Sequence, residues 1–186
     1  MRRDALVTGA ALAMLLALGG CGDGTPTQLF VCYGIDPELV APDTVVRACV
    51  RSDEGEALFG CDETSVLSLG QTGAVLSQAV VQGGAERVRI SLAGEVTRPG
   101  PGGTTRTVPV EQALDVPFVP GEIIDVTLRL EPSCLDRTCT DGTTCIDGAC
   151  VDASVNERCL TPHGMLPREG CTDPRLVAAC PAPFDD

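Results

Sequence analysis

EIIDVTLRLE, residues 122–131, is the stretch that decides the fold of this chain. Ile124, Val126, Leu128 and Leu130 occupy every second position, and charged or hydroxyl side chains stand between them. Because successive side chains of a β-strand point to opposite faces, this alternation places one face in a core and the other in water. Such a strand is typical of an antiparallel sheet with one covered face.

Further segments between residues 28 and 132 also have the character of short strands. RVRISL at residues 87–92 alternates clearly, and the other candidates are residues 28–33, 45–51, 57–61, 74–81, 106–110 and 114–119. Residues 74–81 fit a helical turn equally well, and the Pro- and Gly-rich residues 99–103 are interpreted as a loop within the series. The pattern predicts a mainly β fold, an antiparallel two-sheet sandwich of the Ig-like kind.

The predicted core is aliphatic, because the chain has no tryptophan and only four phenylalanines. The residues expected in it are Val46, Ala48, Val88, Ile90, Ile124, Val126 and Leu128. Residues 133–186 contain few large apolar side chains, so this tail needs cross-links to hold its structure.

The N-terminus has the pattern of an export signal. Arg2 and Arg3 precede an apolar stretch at residues 5–18, which is shorter than the roughly 20 residues of a transmembrane helix. Leu18-Gly19-Gly20-Cys21 then resembles the lipobox of bacterial lipoproteins. That resemblance implies cleavage before Cys21 and lipidation of Cys21. In such lipoproteins an aspartate directly after the lipidated cysteine retains the protein at the inner membrane. This chain has Gly22 at that position, so the resemblance favours the outer membrane.

Ten further cysteines follow Cys21, and export would place them where disulfides form. They are Cys32, Cys49, Cys61, Cys134, Cys139, Cys145, Cys150, Cys159, Cys171 and Cys180. Zinc is the weaker alternative, because no C-x-x-C pair occurs and His163 is the only histidine. Three of the ten precede residue 130 and seven follow it. If all pair within one chain, at least one bridge must therefore join the two regions.

Two Asp-Gly pairs lie in the cysteine-rich run CLDRTCTDGTTCIDGAC, residues 134–150. Asp-Gly suits a two-residue type I′ turn, in which both central residues have positive φ. A turn at Asp147-Gly148 would place Cys145 opposite Cys150, near disulfide distance. The spacing therefore suggests a Cys145–Cys150 bridge, although less local pairings stay open.

These motifs together resemble a group of uncharacterised lipoproteins from GC-rich, myxobacterial-type bacteria. The similarity rests on the lipobox, on Phe118-Val119-Pro120-Gly121 before the last strand, and on the cysteine run ending in CIDGACVD. It covers about residues 1–24 and 115–152, and residues 153–186 depart from the simpler members. The resemblance implies a lipobox, a β-sandwich-like region and a short cysteine-rich segment, but no activity.

Charge excludes some classes of function. The chain has a formal net charge of −13 and no lysine; loss of residues 1–20 removes two positive charges and one negative, leaving −14. Such acidity repels nucleic acid. Without lysine, a G-x-x-x-x-G-K-[ST] phosphate loop is excluded.

Candidate reactive residues are few. His163 is expected to be a solvated turn residue rather than a base, and no G-x-S-x-G elbow accompanies it. Asp136, Asp141, Asp147 and Asp152 recur through the tail and raise the alternative of calcium, although calcium loops concentrate their ligands more tightly. Tyr33 and the four phenylalanines offer little to a carbohydrate.

The sequence thus predicts a lipid-anchored envelope protein that is not an enzyme, has no cofactor or metal, and binds a protein or matrix partner. A carbohydrate- or calcium-binding module on the same scaffold is the alternative. The expected organisation is a signal peptide at 1–20, a lipidated tether at 21–27, a β-sandwich at 28–132 and the disulfide-stapled tail at 133–186.

Overall fold

The computed structural model describes residues 26–40, 44–61 and 76–177, and within them the chain is mainly β. A short α-helix, α1 (Pro174–Val177), lies near the end of the described chain. The strands are β1 (Gln28–Ile35), β2 (Val45–Ser52), β3 (Ala57–Phe59), β4 (Leu76–Val81), β5 (Arg87–Pro99), β6 (Thr105–Pro117), β7 (Ile123–Leu130), β8 (Thr143–Ile146) and β9 (Ala149–Asp152).

The strands form two larger sheets and one small hairpin. One sheet has the order β4-β1-β7, the other has the order β3-β2-β5-β6, and β8 pairs with β9. The expectation of purely antiparallel pairing is wrong for one pair, because β1 runs parallel to β7 from Gln28 opposite Ile123 to Ile35 opposite Leu130. These strands are far apart in the chain, so no hairpin turn imposes an antiparallel direction on them.

The inner faces of the two larger sheets share one apolar core, which makes the fold β-sandwich-like. All seven residues predicted for this core are buried, and none is more than 1% exposed. The sheets approach closely at Gly94 of β5. A Cβ there would lie only 2.8 Å from Leu130 Cδ1 of β7, so a larger residue would displace the buried Leu130 side chain.

β5 and β6 form one long hairpin, which corrects the predicted strand boundaries. Residues 106–110 and 114–119 were expected as separate strands, but β6 is continuous from Thr105 to Pro117. The alternation is broken by Gln112, a polar residue that is buried at an inward position. The loop predicted at residues 99–103 is confirmed for residues 100–103, whereas Pro99 still belongs to β5. The strand predicted at 57–61 ends earlier, at Phe59, and the segment at 74–81 forms a strand from Leu76, while residues 74 and 75 lie outside the described residues.

β6 is an outer strand of its sheet, and the tail covers its free edge. The Asp115 amide donates to the Ala153 carbonyl at 2.9 Å, and the Val155 amide donates to the Asp115 carbonyl at 3.3 Å. The Ala113 amide donates to Thr144 Oγ1 at 2.6 Å. Unpaired sheet edges are sites of unwanted pairing, so the tail protects this edge.

The tail also reaches β7, the outer strand of the other sheet. Pro162 forms an antiparallel bridge with Ile124, and the His163 amide donates to the Ile123 carbonyl at 2.6 Å. Between the two sheets, Gln112 Oε1 accepts a hydrogen bond from the Arg129 amide at 2.6 Å. The same side of the sandwich is therefore closed by tail segments along both sheets.

Arg175 of α1 is a buried charge that fastens the tail. Its guanidinium donates to both carboxylate oxygens of Asp173, at 2.7 and 2.9 Å. It also donates to the carbonyls of Ala113, Ala153 and Asp152, at 3.1–3.3 Å. These bonds join α1 to β6, to the last residue of β9 and to the residue after it, and they compensate the cost of burying the guanidinium.

Four disulfides lie wholly within the described residues: Cys49–Cys61, Cys134–Cys145, Cys139–Cys150 and Cys159–Cys171. The predicted hairpin register is confirmed: Cys145 lies opposite Cys150, and Asp147 and Gly148 have φ of 50° and 76°. The suggested Cys145–Cys150 bridge is wrong. Each of these cysteines pairs with one from the preceding loop, 11 residues away, and closing such longer loops removes more entropy from the unfolded chain.

Candidate functional site

The predicted lipidation site, Cys21, lies outside the described residues, and the described chain begins at Pro26. Among residues 26–40, 44–61 and 76–177, no helix has the length and apolar character needed to cross a membrane.

The predicted disulfide cysteines are bridged wherever the structure describes them. Eight of them pair with one another in the four bridges given above. Cys32 is also disulfide-bonded, and its partner is therefore not among the described cysteines. Cys180 lies outside the described residues. Bridged sulfurs do not act as nucleophiles or as zinc thiolates, so the described cysteines serve the structure.

His163 lies in a tight turn against the three-stranded sheet. The Met165 amide donates to the Pro162 carbonyl at 3.0 Å, and Gly164 between them has φ of 76°. The imidazole Nδ1 lies 2.6 Å from Asp125 Oδ1, and its ring contacts Phe30 edge-on, with centroids 5.3 Å apart. These contacts join the turn to β7 through Asp125 and to β1 through Phe30.

The sequence placed His163 in a turn but gave no sign of its carboxylate partner. Asp125 belongs to β7, 38 residues earlier, and it is one of the outward positions of the alternating strand. Only the antiparallel bridge at Pro162 brings the two side chains together.

The tail aspartates considered for calcium have separate structural roles. Asp136 forms an ion pair with Arg106 at 2.7 Å, Asp147 forms the hairpin turn, and Asp152 Oδ1 accepts from the Ser154 amide at 2.8 Å. No group of three or more potential metal ligands occurs within the described part of the chain, which includes Asp141. The fold therefore gives the calcium alternative no support.

The aromatic residues considered for carbohydrate binding are mostly in the core or against it. Tyr33 is 2% exposed, its hydroxyl donates to Gln78 Oε1 at 3.2 Å, and burial raises its pKa. Phe118 is also buried, and Phe30 packs against His163. Phe59 on β3 is 48% exposed. A sugar ring stacks on an exposed aromatic face, and of these four residues only Phe59 offers one.

Three arginines line an open depression of about 390 Å³ at the start of β5. Arg51 of β2 lies directly opposite Arg89 of β5 in the sheet register. Arg89 forms an ion pair with Asp115 at 3.0 Å, and Arg87 forms one with Glu157 of the tail at 2.7 Å. We call this surface the arginine depression. Like charges placed opposite one another cost stability, so Asp115 offsets an unfavourable pair.

A second depression, of about 450 Å³, adjoins the first. Its lining includes the carboxylates of Asp53, Glu54, Glu56 and Glu86, and Ser52 and Asp53 belong to both depressions. The alternation of residues 87–92 puts Arg87 and Arg89 on the face opposite Val88 and Ile90, but only the pairing of β2 with β5 brings Arg51 beside them. The two depressions together present adjacent regions of opposite charge.

No family model, curated protein or solved structure matches this chain.

Proposed function

We propose that this chain is an exported lipoprotein, acylated at Cys21 and held at the outer membrane as a non-enzymatic structural or protein-interaction module. The observation that carries the proposal is the oxidation of its cysteines. Nine of the ten cysteines that follow Cys21 are disulfide-bonded. Disulfides of this density persist in oxidising compartments and are rare in the bacterial cytosol.

The N-terminal sequence supports the anchor. Leu18-Gly19-Gly20-Cys21 follows a charged start and an apolar stretch of signal-peptide length. Two or three acyl chains on Cys21 hold a protein at a bilayer stably, where a single chain binds reversibly.

The folded body supports a role in display and contact. Tail segments cover the free edges of β6 and β7, which keeps them from pairing with other chains. The arginine depression is the surface that we propose for a protein partner. Arginine is enriched at protein interfaces, and a depression with charges of both signs suits a partner surface of complementary pattern.

The anchor is tested by the intact mass of the purified full-length protein. We expect loss of residues 1–20, the added mass of acyl chains on Cys21, and no free thiol. Cys21→Ser should leave the signal uncleaved and abolish acylation. An unacylated wild-type protein that retains residues 1–20 and carries free thiols would refute the proposal. Separation of inner from outer membranes by density tests the location.

The contact surface is tested by a photo-crosslinking residue at position 51, introduced in living cells. Position 137 is the matched control, because Arg137 is also an exposed arginine but lies outside the arginine depression. We expect a single defined protein adduct from position 51 and none from position 137. The same weak adducts from both positions would exclude the arginine depression as a contact surface.

A further inference from the structure

Three large apolar side chains are more exposed than any other large apolar side chain of the described residues. Val81 at the end of β4 is 63% exposed, Met165 is 66% exposed and Leu166 is 88% exposed. The next most exposed large apolar residue, Phe59, is 48% exposed. We call Val81, Met165 and Leu166 the apolar tip.

The apolar tip lies at the end of the three-stranded sheet where β1 begins. Val81 is paired with Gln28, the first residue of β1. At the other edge of this sheet the tail runs antiparallel to β7 at Pro162, so it reaches the start of β7 at His163 and turns there. The turn reverses the chain direction, because the Met165 amide donates a hydrogen bond to the Pro162 carbonyl at 3.0 Å. Met165 and Leu166 therefore lie at the same end of the sheet as His163.

The chain enters the fold at the same end. Thr27 Oγ1 accepts from the Gly121 amide at 2.8 Å, and the Gln28 amide donates to the Glu122 carbonyl at 3.1 Å, so residues 27 and 28 are held against the turn before β7. Cys21 is five residues before Pro26. Even a fully extended chain covers at most about 18 Å over five residues. An acylated Cys21 therefore keeps this end of the sandwich close to the bilayer.

We propose that the apolar tip inserts into the bilayer surface beside the anchor and gives the body a fixed orientation. The inference rests on the proposed acylation of Cys21. Apolar side chains gain by leaving water for the acyl-chain boundary, and tethering makes even a weak contact effective because the surface is always near. The Asp125–His163 pair and the turn at Gly164 hold Met165 and Leu166 in position before any contact with lipid.

The charges at this end decide which lipids suit the contact. Residues 162–168 include His163 and Arg168 but no carboxylate, and Asp125 faces His163. Glu122 lies at the same end, and the nearby end of the four-stranded sheet carries both the carboxylates of Asp53, Glu54, Glu56 and Glu86 and the three arginines of the arginine depression, two of which are paired with Asp115 and Glu157. Since the carboxylates at this end outnumber the arginines, they repel anionic head groups, and the tip should enter zwitterionic lipid with the three-stranded sheet nearest the surface.

Tryptophan fluorescence tests the inference, because the chain has no tryptophan of its own. The acylated protein carrying Leu166→Trp is reconstituted into phosphatidylcholine vesicles, with and without brominated acyl chains. We expect the emission to move to shorter wavelength on reconstitution and most of its intensity to be lost in brominated vesicles. The same variant with residues 1–21 replaced by a secretory signal that is fully removed on export supplies the reference spectrum in solution.

The matched control is Glu38→Trp, an exposed position at the opposite end of β1. Its emission should stay at long wavelength, and brominated lipid should not quench it.

If both tryptophans behave alike while the protein floats with the vesicles, the inserted tip is refuted and the anchor stands. If emission from position 166 shifts but brominated lipid does not quench it, a protein contact covers the tip and the bilayer contact is refuted. If the wild-type protein is unacylated and does not float, the proposed function itself fails.

Discussion

Tyr33 is a residue whose ionisation should report on the fold. It is the only tyrosine in the chain, and burial raises its pKa above the ordinary value of about 10. Above that ordinary value the unfolded chain releases the phenolic proton while the folded chain keeps it, so stability falls as the pH rises. Below it the shift contributes nothing to the pH dependence. We expect phenolate absorbance to appear together with the loss of the β-sheet circular dichroism signal, and not before it.

Tyr33→Phe is the control for this titration. It should abolish the absorbance change, and it should weaken the dependence of stability on pH in the alkaline range. Phenolate absorbance near the ordinary pKa in a protein that keeps its full β-sheet signal would contradict the prediction.

Arg175 is expected to be the most costly arginine to replace. Arg175→Met leaves the half-buried Asp173 without its cation and removes the guanidinium from the Ala113, Asp152 and Ala153 carbonyls, of which Ala153 keeps the Asp115 amide as a donor. Breaking a fully buried ion pair costs about 3–5 kcal/mol of unfolding free energy, and because Asp173 keeps partial contact with water we expect a loss near the lower end of that range. Urea denaturation under non-reducing conditions measures the loss.

Arg168→Met is the matched control, because Arg168 is an exposed tail arginine with one hydrogen bond to the Arg158 carbonyl. Its cost should stay within about 0.5 kcal/mol, as for surface substitutions in general. Equal losses from the two variants would mean that Arg175 does not hold the tail to β6.

Single residues were predictable where they obeyed an alternating pattern. All seven core residues follow from apolar side chains at every second position, and hydrophobic burial acts on that pattern directly. The burial of Gln112 was not predictable from the sequence. A polar side chain at an inward position of an alternating pattern suggests that the strand has ended there. The amide of Gln112 is satisfied by the Arg129 amide and by the Cys145 carbonyl, and these partners come from distant parts of the chain.

At the level of strands, the outer edge of β6 allows hydrogen exchange to be compared between amides that the tail covers and an amide that it leaves uncovered. In β6 every second backbone amide points toward β5 and the others point away from it. Those that point away include the amides of Thr107, Ala113 and Asp115. Ala113 and Asp115 donate to the tail, whereas Thr107 has no such partner among the described residues. We expect hydrogen exchange at residues 113 and 115 to be much slower than at residue 107. Residue-resolved exchange on the oxidised protein measures this, and equal rates would show that the tail leaves the edge open.

Strand positions were easier to predict than strand partners. The two-residue Asp147-Gly148 turn fixes the register of β8 with β9 through local geometry, and that register was predicted correctly. By contrast, β1 pairs in parallel with β7, which begins at Ile123, far along the chain from Gln28. No local sequence signal encodes a pairing between strands so far apart. The disulfides of the tail were missed for the same reason, since Cys134 and Cys139 reach the hairpin through the loop that precedes it.

At the scale of the whole molecule, the count of cysteines makes a prediction about how the tail is joined to the sandwich. Cys49–Cys61 lies within the first region, and the other three described bridges lie within the tail. Cys32 in β1 is fully buried and disulfide-bonded. Cys21 and Cys180 are the two cysteines left in the chain. If Cys21 is acylated, its sulfur is occupied, and Cys180 remains as the partner of Cys32.

We therefore predict a Cys32–Cys180 bridge that joins the middle of the three-stranded sheet to the end of the tail. Closing a loop of this length removes about 5 kcal/mol of unfolded-chain entropy, so Cys180→Ser should lower the unfolding free energy by an amount of that order. Peptide mapping without reduction identifies the pairing directly. Met165→Ser is a suitable control for stability, because it changes an exposed tail residue without touching a sulfur. A peptide that links Cys32 to Cys21 would contradict both this bridge and the lipid anchor, because one sulfur cannot carry both bonds.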